Sequence, residues 1–419
     1  LSQEIPLNQA SDDGACVIVG ASHAGVSLAL QLRREGWTGP IQLLSAQADI
    51  PYHRPPLSKE FLTGNKQFEQ ILLRPGKMFA DQNIELKLGA RVTEVDAVNK
   101  LVRLEGGESL DYAALALCSG AQVRKLEQFN DYENVYYLRD IADARRLQQA
   151  MQPKCNAVIV GGGYIGLEVA AAMRLAGMNV TVLEREDRIL NRVTGEAMSG
   201  YMSALHSSHG VELVCNTEIS EVHGAANVEG ITCSNGEHYP ADVVIVGVGV
   251  VPETTLAESC GITVDNGICV DEYTATNISD IYAAGDCSNF PSALYGMRLR
   301  LESVQNANDQ ARAAAANICG KQQIYNPVPW FWSDQFGIKL QMAGLSSGYE
   351  TCICRGNPED MDVNSFALFY LSGGRVIAAD CVGRPKEFMA SKQLIQSGVE
   401  VNPERLADET VDPAQFQKT

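Results

Sequence analysis

Two stretches of this chain repeat one pattern. ACVIVGASHAGVSLALQL (15–32) and NAVIVGGGYIGLEVAAAM (156–173) each open with a β-branched run, turn at glycine and continue into an Ala/Leu-rich segment of helical character. Each is followed by a further apolar run, IQLL (41–44) and NVTVLE (179–184). Strand, tight turn, helix, strand is a βαβ unit, so the chain is expected to build two parallel sheets of Rossmann type. The glycines have separate jobs: the first makes the turn, the second lets backbone approach a pyrophosphate, and the third lets helix and strand pack closely. The helix N-terminus then faces the phosphates with free N–H groups and the positive end of its dipole.

The second copy, Gly161-x-Gly163-x-x-Gly166 with Ile165 inside it, has all three glycines. Glu184 closes the next strand, where a carboxylate accepts hydrogen bonds from a ribose diol and repels a 2′-phosphate. The first copy reads Gly20-x-Ser22-x-x-Gly25, and its second strand ends in Ser45-Ala46-Gln47 with no acid for the ribose. A single such turn is often an ordinary strand–helix junction, but two in matching contexts point to two dinucleotide sites. ADVVIVGVGVVPE (241–253) reads as a buried strand followed by Gly247, Gly249 and Pro252. ISDIYAAGDC (278–287) reads as a strand stopping at Gly285-Asp286. Asp286 either binds a polyol at the sheet edge or caps a helix beyond it.

The formal net charge of −18 excludes nucleic-acid binding through a general basic field. The twelve cysteines are scattered through apolar stretches and read as reduced core residues; Cys352 and Cys354 read as alternating strand positions, and no metal site is expected. No apolar run approaches the roughly 18 residues of a membrane span. The opening LSQEIPLNQASDDG has no apolar h-region, so residues 1–13 are expected to be a flexible tail and the protein cytoplasmic.

The sequence closely resembles the FAD-dependent NADH:ferredoxin reductases, the putidaredoxin reductase, rubredoxin reductase and dioxygenase-reductase type, from about residue 14 almost to its end. The resemblance is carried by RPPLSK (54–59), GGGYIGLEVA (161–170), GVGVVP (247–252), AAGDC (283–287), RLESVQNANDQAR (300–312) and PWFWSDQ (329–335). It implies an α/β fold with two Rossmann-like dinucleotide-binding domains, glutathione-reductase-like, plus a C-terminal α+β domain. The FAD domain would comprise 14–120 and 247–325, the NADH domain 121–246 and the C-terminal domain 326–419. ALCSGAQVR (116–124) is similar to the family's crossover segment, with Ser119 keeping a hydroxyl.

By the same resemblance, Gly20, Ala24, Gly25, Lys59, Val92, Arg139, Asp286 and Val304 lie on FAD, and Gly161, Gly163, Ile165, Gly166, Glu184, Gly247 and Gly249 complete the cofactor-binding set. Disulfide reductases of the superfamily carry cysteine beside the flavin, whereas this chain has Pro55-Pro56-Leu57-Ser58-Lys59 there and no cysteine between Cys16 and Cys118. Electrons are therefore expected to leave the flavin directly. Lys59 would lie beneath the isoalloxazine paired with Glu168, and Trp332 beside it, as the catalytic set. The implied activity takes hydride from NADH onto FAD and passes single electrons to an acidic [2Fe–2S] ferredoxin, serving a cytochrome P450 or ring-hydroxylating oxygenase. A rubredoxin reductase, or a flavoprotein of the apoptosis-inducing-factor type, is the alternative. Trp330 and Trp332 are expected to face opposite ways, with Trp330 in the core. Arg298, Arg300, Arg312 and Lys339 are expected to form a basic docking patch, with Arg300 open to pairing with Glu302 instead.

Overall fold

The computed structural model describes residues 14–417, so the tail expected over 1–13 lies outside the described residues. The chain divides into two compact units. The first comprises the described residues up to His53, with Phe68–Gln122 and Val251–Pro327. The second comprises Arg54–Gln67, Val123–Val250 and the described residues from Val328 onward.

The first unit is built on a five-stranded parallel sheet ordered Ile281–Ala283, Ala114–Leu117, Cys16–Val19, Ile41–Leu44, Ile84–Lys87. Its central strands Cys16–Val19 and Ala114–Leu117 are buried at every position, which is why they read as unbroken apolar runs rather than alternating ones. The helix His23–Glu35 ends where Gly36 turns left-handed at φ 101° and returns its N–H to the carbonyls of Leu32 and Arg33.

The second unit repeats the construction. Its parallel sheet is ordered Val211–Val214, Asn179–Leu183, Asn156–Val160, Val243–Val246, Val135–Tyr136. The same unit holds an antiparallel sheet ordered Trp330–Gln335, Ile338–Gly344, Arg375–Val382, Phe366–Ser372, Thr351–Gly356. Gly373 and Gly374 turn the hairpin between Phe366–Ser372 and Arg375–Val382, and Cys352 and Cys354 alternate along the last strand. The antiparallel sheet does not stand alone: Leu340, Met342, Phe366, Leu368 and Tyr370 share one core with Leu167, Met198, Met202 and Leu205. Among the described residues, no helix is long and apolar enough to cross a membrane.

One buried carboxylate belongs to this core. Asp380 is 3% exposed and accepts hydrogen bonds from the Thr194 hydroxyl and, at 2.7 Å, from the Tyr370 hydroxyl. No cation among the described residues pairs with it. Burial pushes its carboxyl up to about 6, against the pull of the two hydroxyls. The folded value lies above the unfolded one near about 4, so ionised Asp380 works against the fold. That cost is fully present above about pH 6 and disappears as pH falls toward 4. Asp380→Asn, which keeps an acceptor oxygen, is expected to raise stability by about 1–3 kcal/mol at pH 7 and by nearly nothing at pH 4. Urea unfolding at both pH values reads this; equal effects at the two would contradict it.

Candidate active site

Both glycine turns sit at the point where their sheet changes direction, since Cys16–Val19 and Asn156–Val160 are each central in a parallel order that runs outward both ways. Ligands of open α/β sheets bind in that crevice, outside the carboxyl ends of the strands. In the first unit Gly20 has φ 106°, and a Cβ on it would lie 2.2 Å from the Cys118 carbonyl oxygen. In the second, Gly161 has φ 110° and would meet the Gly247 carbonyl at 2.6 Å. The third glycines serve the close helix–strand approach: a Cβ on Gly25 would stand 1.9 Å from the Gly20 oxygen, and on Gly166 2.2 Å from the Gly161 oxygen. Gly163 is different. A Cβ there meets nothing within 4 Å, so the missing side chain leaves open space before the helix Tyr164–Leu175. Neither glycine helix carries an acidic side chain in its first turn, so each dipole end is free to face an anion. Both cradles fit a dinucleotide pyrophosphate.

Around the first cradle, Ser22 is the N-cap of His23–Glu35 in extended backbone. Ala24 packs toward the Gly285 turn, where a Cβ on Gly285 would be 3.1 Å from that of Ala24. Gln310 fixes the turn by accepting from the Gly285 N–H at 2.8 Å and the Ser288 hydroxyl at 2.7 Å. Asp286 follows Gly285 and leads into the strand Ser288–Ser292, not a helix, which removes the reading of Asp286 as a helix cap. Val304 opens the helix Val304–Ile318, where backbone N–H groups have no intrahelical acceptor. Val92 begins the strand Val92–Asp96 and is half-buried. Ala46 is exposed. Ser119 keeps its hydroxyl engaged, donating to the Glu253 carbonyl at 2.7 Å.

Around the second cradle, Glu184 is tied down at the end of Asn179–Leu183. One oxygen accepts from the Gly162 N–H at 2.6 Å and the other from the Glu186 N–H at 2.9 Å. Ile165 is held outward at the second helical position, 47% exposed. Gly249 has φ 97°, and an Arg192 guanidinium nitrogen lies 3.9 Å from where its Cβ would be. Arg185 pairs with Glu186 at 2.9 Å. The Arg139 carbonyl accepts from the Arg54 guanidinium at 2.5 Å.

The second unit also brings Lys59 and Glu168 together. PPLS (55–58) forms a short 3-10 turn that ends at Lys59, and Lys59 Nζ lies 2.7 Å from Glu168 Oε2, with the two side chains 11% and 4% exposed. Two serines join them: Ser58 donates to Oε2 and Ser333 to Oε1, each at 2.5 Å. A buried cation is tolerable only with such a partner, and a buried carboxylate only with its lone pairs used. The ion pair is the one the family resemblance implies; nothing in the sequence points to either serine.

Trp332 lies on the strand Trp330–Gln335 and is half-buried. Its ring centroid is 5.7 Å from that of Trp330, so the two indoles share a face and the expectation of opposite faces is corrected. Residues two apart on a strand point the same way, because the side-chain period is two. Ser333, one residue beyond Trp332 and so in the opposite phase, points to Glu168 instead. Trp330 packs on Phe388 and under the Lys392 ammonium. Each of the four cations expected to form a basic patch has a partner, and for Arg300 it is the Glu302 pairing left open by the sequence. Arg300 pairs with Glu302 at 2.7 Å, Arg312 with Asp309 at 2.5 Å and Lys339 with Asp334 at 3.6 Å, while Arg298 is spent on Asn289 and the Val270 carbonyl. Three of the four cations stand beside a carboxylate.

Residues 14–311 match the family model described as pyridine nucleotide-disulphide oxidoreductase, and residues 330–416 match the one described as reductase C-terminal. The chain is 41% identical to a ferredoxin–NAD(P)(+) reductase of Sphingomonas sp over 92% of its own length and 94% of the relative's. It is 42% identical to putidaredoxin reductase of Pseudomonas putida, over 94% of each chain. Among solved structures, the covalent putidaredoxin reductase–putidaredoxin complex matches with a TM-score of 0.93 at 41% identity, covering 96% of this chain and 98% of that one. The family and the two cradles together imply FAD and a nicotinamide dinucleotide as the two ligands. Despite the family's name, the described chain has no cysteine between Cys16 and Cys118. The chain belongs to the pyridine nucleotide-disulphide oxidoreductases, within the group of ferredoxin reductases that end in a reductase C-terminal domain.

Proposed function

We propose that this protein is an NADH-dependent ferredoxin reductase that serves a cytochrome P450 or ring-hydroxylating oxygenase through a [2Fe–2S] ferredoxin. The observation that carries the reading is the pair of matching glycine cradles in a chain with no cysteine where a thiol relay would stand. FAD, when bound, would supply the conversion of one hydride's two electrons into two single-electron transfers. Segments 14–120 and 247–325 are assigned to FAD, 121–246 to NADH and 326–419 to the C-terminal domain.

The chain's own residues have the following work. The backbone N–H groups at the starts of the helices His23–Glu35 and Tyr164–Leu175 hold the pyrophosphates. Asp286 and the backbone at Val304 take polyol and ring contacts. Lys59 holds positive charge where negative charge develops on hydride arrival, which favours that charge electrostatically. Glu168 keeps Lys59 in place, and Trp332 shields the reacting face from water.

The nucleotide preference follows from Glu184. Its two oxygens are fixed by Gly162 and Glu186, so the carboxylate cannot swing away from an incoming 2′-phosphate. Arg185 is already spent on Glu186. NADH is expected to exceed NADPH in kcat/KM by on the order of 10- to 100-fold, the scale of a like-charge clash. Steady-state kinetics with both nucleotides is the test. Equal values would remove Glu184 from the ribose site and turn attention to Arg192.

A further inference from the structure

The Lys59–Glu168 pair is the end of a longer buried chain. Glu168 Oε1 accepts from the Ser333 hydroxyl at 2.5 Å. Ser333 accepts from Gln335 Nε2 at 2.9 Å, and Gln335 Oε1 lies 2.7 Å from His206 Nε2. Ser333, Gln335 and His206 are 1%, 2% and 0% exposed. Ser333 and Gln335 sit two apart on one strand and so share a face, and His206 comes from the helix Glu196–Ser208.

The chain has a direction. The serine hydroxyl has one proton, and Glu168 takes it. Ser333 must then accept from Gln335, which turns the amide nitrogen toward Ser333 and its oxygen toward His206. His206 therefore donates through Nε2–H. Its Nδ1 is buried with no hydrogen-bond partner, and the ring meets Phe336 edge-on at 5.0 Å. Burial holds the imidazole pKa down at about 4, so it is neutral at pH 7. Every donor points toward Glu168. A polar line of this kind through an apolar core is costly when left half-satisfied, and leucine or methionine would pack there without that cost. It does what packing alone cannot: it fixes the plane of one carboxylate.

We infer that Ser333, Gln335 and His206 are positioning residues for the reductase reaction: they orient Glu168, and through it the ammonium of Lys59. The inference rests on the reading of Lys59 given above. Small misplacements of a charge near a reacting centre reduce rates steeply, up to about a hundredfold for about 1 Å.

The test uses the FAD-loaded protein. Flavin reduction by NADH is followed by stopped flow in wild type, Ser333→Ala, Ser333→Thr and Gln335→Leu, each alone and with Glu168→Gln. In parallel, the side-chain carboxyl resonance of Glu168 is followed in [δ-13C]glutamate-labelled protein and assigned by its loss in Glu168→Gln. Ser333→Ala and Gln335→Leu are expected to slow reduction about tenfold with KM for NADH unchanged. Ser333→Thr, which keeps the hydroxyl, is expected to restore the rate. In the Glu168→Gln background neither loss should recur, and the Glu168 resonance should move in Gln335→Leu and His206→Phe. Normal wild-type reduction with equal losses in both backgrounds, or an unmoved resonance, overturns the relay alone. A wild type that NADH does not reduce overturns the proposed function and the positioning role with it.

Discussion

The Gly25→Ala protein is expected to purify without flavin colour, and Gly166→Ala to purify yellow but to be reduced by NADH only at greatly raised concentration. The two substitutions are the same insult at the two cradles. The added methyl falls 1.9 Å from the Gly20 carbonyl oxygen in one and 2.2 Å from the Gly161 oxygen in the other. Both contacts are with backbone, so no side chain can yield; the helix must lift from the strand. The cost of overpacking is about 1–3 kcal/mol in a well-packed core, and the displacement moves the N–H groups that face the pyrophosphate. Gly163→Ala separates fold from ligand. Its backbone is extended, at φ −80°, and its methyl would enter open space. It should unfold like wild type and still bind NADH weakly, because the methyl occupies the approach of the phosphates. FAD stoichiometry, NADH titration and denaturant midpoints on the three variants read these outcomes. Full flavin content in Gly25→Ala would show that the first cradle does not hold the cofactor.

Lys59→Met is expected to have two separable consequences. Hydride transfer from NADH should fall about 100-fold, the scale of removing one preorganised charge or donor from a reaction centre. Stability should fall by about 3–5 kcal/mol, because Glu168, 4% exposed, loses its only salt-bridge cation among the described residues and stays buried. Adding Glu168→Gln to Lys59→Met removes the stranded charge. The double variant should recover most of the stability and none of the rate. Stopped-flow reduction and urea unfolding distinguish the cases. If Lys59→Met reacts at the wild-type rate while losing stability, the pair is structural and the flavin is tuned by something else.

The sheets and turns were legible because their physics is local. Strands buried on both faces read as unbroken apolar runs, and glycines at φ near 106° and 110° are required by the turn itself. The serines around Glu168 were not legible. Ser58 and Ser333 lie 110 and 165 residues away from it, and His206 lies 129 from Gln335, distances that no pattern within one segment reports. Other misses were avoidable. The facing of Trp330 and Trp332 follows from a period of two. Asp309 stands three residues before Arg312 on one helix, a spacing that brings opposite charges together. The strand after Asp286 reads SNFPS, whose proline argues against a strand from sequence, and this left the helix-cap reading open.

Electrons are expected to leave this protein one at a time to a [2Fe–2S] ferredoxin. The most direct measurement is NADH-driven reduction of a putidaredoxin-type [2Fe–2S] ferredoxin by the FAD-loaded protein, read by coupled cytochrome c reduction, with rubredoxin and no carrier run alongside. Turnover is expected to saturate with the ferredoxin and to exceed that with rubredoxin. Reduction no faster with the ferredoxin than with rubredoxin, or than without a carrier, would contradict it.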